Sequence, residues 1–161
     1  MVTDHIIAVA RTLYGEARGT GLMDRLGVLA VIRERVLRPG WWGRTWESVV
    51  RAPFQFSCWL QHDNAHRRNY EAMMEAEVRD PATWHSLLVL AEYAQHMSDR
   101  DVMAMFDVAG PDDFPTHYHD RSLPGAPASW GSAREIRPRW PGSRFRWYVV
   151  EQGRPPRRGV V

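Results

Sequence analysis

The chain is 161 residues long, 44% apolar and 25% charged, which fits one globular domain with a single core. Its one cysteine, Cys58, excludes an internal disulfide and any multi-cysteine zinc site. No run approaches the length of about 20 apolar residues that a membrane span needs, so stable membrane insertion is not expected. All 21 basic side chains are arginine, and they are unevenly spread: residues 1–133 hold 13 Arg against 17 acids, net −4, and residues 134–161 hold 8 against 2, net +6.

In chain order, Thr3 is placed to cap a first helix, with Asp4 favourable in its first turn. The acid there and the lack of a positive leading region do not read as a secretory signal, so synthesis in the cytoplasm is expected. Ile6, Val9, Ala10, Leu13 and Ala17 recur at helical spacing and form an inward face. "LYGEARG", residues 13–19, sets Glu16 between Gly15 and Gly19. Each glycine costs roughly 1 kcal/mol against alanine in a helix, so the helix is expected to loosen here and turn at Gly19–Thr20–Gly21. A second helix is predicted over 22–37, with Leu22, Leu26, Leu29, Ala30, Arg33 and Val36 near one face and Pro39–Gly40 as its stop. A tryptophan-rich loop follows, then a short helix capped by Thr45 and ended by Pro53. "FQFSCWLQHDN" has no period and reads as irregular chain. Residues 65–79 read as helix. Asp80–Pro81 supplies a cap and first helical position for another, through about Met97, expected to be the central core helix.

After Asp99 the sequence fills with Pro, Gly and Asp and only short apolar pieces. "FRWYVV", 145–150, is the best strand, and 151–161 reads as a disordered Arg/Pro-rich tail after a 1–150 domain. The expected class is α+β: a mostly helical single domain with a small antiparallel β-element near the C-terminus. The cationic C-terminal stretch would attract an anionic polymer, or serve only as a solubilising tail.

Five constellations carry possible chemistry. Glu16, partly removed from water beside Leu13 and Tyr14, would resist ionisation and suit general-acid work. The flanking glycines would let a substrate or another backbone approach closely. His117 and His119 lie two apart, on one face if "PTHYHD" is a strand. His62 and His66 lie four apart and, with one of that pair, would complete a three-histidine zinc site. "HEXXH" is absent, however, and no metal or cofactor is expected. Eight tryptophans exceed common usage; Trp41, Trp42, Trp46 and Trp59 cluster where a groove could form, although at least half are expected to complete the core. Cys58 reads as a small buried hydrophobe rather than a nucleophile, and Ser57 lacks a "GXSXG" elbow. Arg interleaved with Trp and Tyr in "RPRWPGSRFRWYVV" could stack single-stranded nucleic acid, but it matches no known module, and nucleic acid is not the expected partner.

In order and spacing, "ARTLYGEARGTG", the helix "LGVLAVIRERV", "QFSCW" and "THYH" followed by a later tryptophan resemble the SleB/CwlJ-type cell wall hydrolases, spore-cortex-lytic enzymes and phage lysins among them. The resemblance implies a lysozyme-like fold and peptidoglycan as substrate, cleaved at the β-1,4 bond between N-acetylmuramic acid and N-acetylglucosamine. It implies Glu16 as the catalytic residue and a cleft using Gln55, Phe56, Ser57, Trp59, His117, Tyr118 and His119. Relatives pass quickly from His-Tyr-His to a Pro-Tyr-Trp-like stretch, whereas this chain has "DRSLPGAPASW", which leaves the equivalence of Trp130 open.

With only one acid in a convincing setting, lytic transglycosylation is the expected reaction. A hydrolase with a second carboxylate, Asp63 or Asp120 first, and a zinc-dependent amidase or peptidase using the histidines are the alternatives. The expected form is a monomer that meets the wall after export or holin-mediated release.

Overall fold

The computed structural model describes residues 1–159 as seven α-helices and a three-stranded sheet, the expected α+β arrangement. The helices are α1 (Asp4–Ala17), α2 (Leu22–Leu37), α3 (Trp46–Val50), α4 (Asn64–Met74), α5 (Ala76–Arg79), α6 (Pro81–Ala94) and α7 (Asp99–Met105). The strands are β1 (His117–Asp120), β2 (Ala133–Ile136) and β3 (Phe145–Val150). Strand β3 is central and antiparallel to both neighbours, with His117 opposite Tyr148 and Ile136 opposite Trp147. Among the described residues no helix is long and apolar enough to cross a membrane.

Start signals behave as the residues dictate in most places. Asp80 accepts from the Thr83 N–H with Pro81 in the first turn of α6, and Thr45 accepts from the Ser48 N–H at α3. Thr3 precedes α1 in extended conformation, but its hydroxyl contacts the His5 ring and does not cap. Helix α7 was not evident in the sequence because it is short; it is held by a reciprocal Ser98–Asp101 cap rather than by a long apolar period.

The core is centred on α1 and α2, not on α6. Only Trp84, Leu87, Ala91 and Ala94 of α6 are buried, and they pack against α1. Helix α2 is buried around its whole circumference from Gly27 to Arg35, because α1, α3, α6, α7 and β1 all pack against it; Leu22, expected on its inner face, is exposed. The Trp147 indole of β3 lies on Gly27, where a β-carbon would overlap it.

Burying α2 on all sides also buries Arg33, Glu34 and Arg35, which therefore need partners. Arg33 donates from Nε to the Met97 carbonyl at 2.7 Å and pairs with Asp99 at 2.9 Å. Glu34 accepts from Arg38 at 2.8 Å and from Arg157 at 3.1 Å, and Arg157 also pairs with Asp99. Arg35 donates to the Thr116 carbonyl at 2.9 Å. Residues 151–159 have no regular secondary structure, yet they lie back on α2: Arg38 donates to the Pro155 carbonyl, and the Arg158 N–H to that of Leu37. This network ties the described part of the Arg/Pro-rich segment, expected to be a disordered tail, to the helical body; residues 160 and 161 lie outside the described residues. The cationic stretch is also partly neutralised internally, since Arg134, Arg139, Arg144 and Arg157 each pair with a carboxylate.

Helix α1 runs unbroken through Gly15 and Glu16, against the expected loosening. Gly15 marks a close approach: a β-carbon there would collide with the Cys58 side chain, which packs directly on the helix. Gly15→Ala is expected to destabilise by about 1–3 kcal/mol through overpacking, read as a lowered melting temperature. Hydrogen bonds from Arg157, then from Arg33, hold the Asp99 carboxyl below its ordinary range. A depressed carboxyl contributes stability that is complete above its unfolded value of about 3.9 and is lost as pH falls through the folded value. Melting temperature measured between pH 5 and 2 should therefore fall less steeply for Asp99→Asn than for the wild type.

Candidate active site

The segment after α3 packs on α1 at Gly15, and β1 sends the Tyr118 hydroxyl to the neighbouring Glu16. Together they bracket Glu16, which is half-buried one residue before the end of α1. Glu16 Oε1 accepts from the Cys58 N–H at 3.0 Å and from Ser57 Oγ at 3.2 Å; Oε2 accepts from the Tyr118 hydroxyl at 3.0 Å. Three donors from two segments distant in sequence fix one carboxyl group. Burial and the neighbouring Glu16 push the Tyr118 hydroxyl well above its ordinary value, so it remains a proton-bearing donor.

Glu16 lies in the wall of a trench of about 930 Å³, near the upper end of the usual range for small-ligand sites. Gln55, Ser57, His117, Tyr118 and His119 also line it. Phe56 and Trp59 do not. Phe56 is buried beneath the Arg35 guanidinium, and Trp59 turns back to donate to Thr12 Oγ1 at 3.0 Å and to pack on Tyr70. Both complete the core that carries the 57–59 turn, which corrects their expected place in the cleft.

Aromatic groups form much of the remaining wall. Alternation along β1 places His117 and His119 on one face, where the Trp130 ring packs on both at 4.7 and 5.6 Å. The rings of Trp41 and Trp42 approach His117 edge-on at 5.7 and 5.3 Å. Burial, aided by Arg35, lowers the His117 imidazole to about 3, and burial also lowers His119. Both are therefore neutral rings near pH 7. Trp130 thus fills a wall position, whereas Trp84 and Trp147 belong to the core.

Among the wall residues outside the expected binding set, four stand out. Arg35 sits between the Trp42 ring at 4.4 Å and the Phe56 ring at 5.0 Å, and burial lowers its guanidinium to about 10. The helical period sets Arg33, not Arg35, near the inner face of α2, so nothing in that period points to Arg35. Phe54 has φ +61° and is 83% exposed at the lip, a conformation that bulky residues rarely adopt. A run without period carries no signal for such a turn. Gln152, beyond β3, also lines the trench. Asp120, considered only as a second carboxylate, lines the trench and is held below its ordinary range by hydrogen bonds from Ser122.

The cysteine is no nucleophile. Cys58 is fully buried, and desolvation pushes its thiol well above the ordinary value. The three-histidine zinc site does not form: among the described residues, His62 and His66 group with Asp63 outside the trench, and no ligand cluster includes His117 or His119.

The site therefore offers one anchored carboxyl, a second ionised carboxylate, several hydroxyl and amide groups, and broad neutral aromatic faces. That chemistry suits proton transfer to a bond in an uncharged polyhydroxylated ligand. No protein-family model, no curated protein and no solved structure matches this chain.

Proposed function

We propose that this protein cleaves the glycan strands of peptidoglycan at the β-1,4 bond between N-acetylmuramic acid and N-acetylglucosamine, as a lytic transglycosylase with Glu16 as the acid and base. The observation that carries this reading is the Glu16 carboxyl, gripped by Ser57, Cys58 and Tyr118 at the edge of an aromatic trench. The Glu-Ala-Arg-Gly, Gln-Phe-Ser and His-Tyr-His segments, which resemble those of SleB/CwlJ-type hydrolases, all contribute to that one trench.

In this mechanism protonated Glu16 donates to the glycosidic oxygen as the bond from the muramic anomeric carbon breaks. The N-acetylglucosamine side leaves as an alcohol. The Glu16 carboxylate then takes the proton of the muramic 6-hydroxyl, whose oxygen attacks the anomeric carbon. A 1,6-anhydro sugar forms, Glu16 regains its proton and no water is consumed. Because the nucleophile is already part of the bound ring, no second molecule has to be ordered. Ser57 and Tyr118 carry hydroxyl protons that can rotate, so they follow the carboxyl as it gives up and regains its proton.

A second reading is hydrolysis, favoured by one observation: the ionised Asp120 shares the trench and is suited to activating a water. Glu16→Gln is expected to lower sacculus clearing at least about 100-fold while leaving the melting temperature near the wild-type value. Tyr118→Phe, which removes one donor to Glu16, should cost roughly tenfold. Mass spectrometry of a sacculus digest should show anhydro-muropeptides, with Asp120→Asn retaining most activity. Reducing-end muramic acid, together with a large loss in Asp120→Asn, would establish the hydrolase instead.

A further inference from the structure

A separate cluster lies at the start of α4, outside the trench. Asp63 caps this 11-residue helix through Oδ1, which accepts from the His66 N–H at 2.8 Å. Its other oxygen, Oδ2, is 2.8 Å from His66 Nδ1 and 3.3 Å from His62 Nε2. The two imidazole rings lie 4.1 Å apart, and the three ligand atoms all fall within 4.8 Å of one another. With metal–ligand bonds of about 2.0–2.1 Å, two ligands of one zinc ion sit roughly 2.9–3.4 Å apart. The His62–Asp63 distance of 3.3 Å falls in that range and the His66–Asp63 distance of 2.8 Å just below it, and the half-exposed side chains have room to adjust onto one ion.

We propose that His62, Asp63 and His66 form a binding site for one divalent transition-metal ion of the zinc class. Two imidazole nitrogens and one carboxylate oxygen make a borderline donor set that favours zinc, nickel or copper over magnesium or calcium, which prefer all-oxygen sites. Half-exposed ligands leave the remaining positions to water. The Asp63 carboxylate accepts the His66 N–H at the start of α4, where a negative group is favourable. Because His62 precedes the helix and His66 lies within it, a bound ion would clip the chain leaving the Ser57–Trp59 turn onto the first turn of α4. This assignment is independent of the sugar chemistry at Glu16.

The test is calorimetric titration of the whole protein with zinc chloride and, separately, magnesium chloride. One zinc per chain is expected, with binding at least tenfold weaker in the double variant His62→Gln, His66→Gln. Asp63→Asn keeps a good helix cap but loses the anionic ligand, so it should weaken zinc binding with unchanged helical circular dichroism. Cobalt(II) should give visible d–d bands in the wild type that vanish in the double variant. Absence of zinc binding, equal zinc binding by wild type and double variant, or magnesium bound as well as zinc would overturn the assignment.

Discussion

One turn of α2, Arg33–Glu34–Arg35, carries three charges into the centre of the molecule, where each must meet a partner or impose a large desolvation cost. The three partners come from different parts of the chain. Arg33 reaches the junction of α6 and α7, Glu34 the last described segment, and Arg35 the residue before β1. Three faces of one buried helical turn thus hold the helical body, the C-terminal segment and the sheet in register. The sheet in turn carries Tyr118 to Glu16, so the buried charges fix the geometry of the trench.

Glu16 shows how local packing positions a single carboxyl. The absence of a side chain at Gly15 lets the Ser57–Trp59 turn sit against α1, which brings the Cys58 N–H and the Ser57 hydroxyl onto the carboxyl. Tyr118 closes it from the other side with a hydroxyl that burial keeps protonated. A carboxyl fixed by three donors needs little reorganisation when a ligand arrives. The neutral rings of His117 and His119 add surface without adding charge.

The helical body, the Asp80–Pro81 start and the central strand were legible because period, caps and β-branched or aromatic runs are local signals. Glu16 stood out for the same reason: an acid between glycines contradicts simple helix propensity. The non-local features were less visible. Nothing around Phe56 or Trp59 distinguishes a cleft aromatic from one that supports the cleft from behind, since both are apolar residues in irregular chain. The docking of residues 154–158 depends on acids more than fifty positions away, so an Arg/Pro-rich segment looked unstructured when read alone. The charges of α2 were hidden because a buried ion and a solvated one have the same letter.

The pairing of Glu34 with Arg157 spans 123 residues. A ribosome exposes α2 long before it reaches the partner arginine, so during translation the helical body holds a half-answered acid. Native closure of this centre therefore waits for a residue made 123 positions after Glu34, while Arg38, four positions away, is the partner available locally. Because Arg35 lies on that same turn and lines the trench, the trench wall and this long-range closure share one helix.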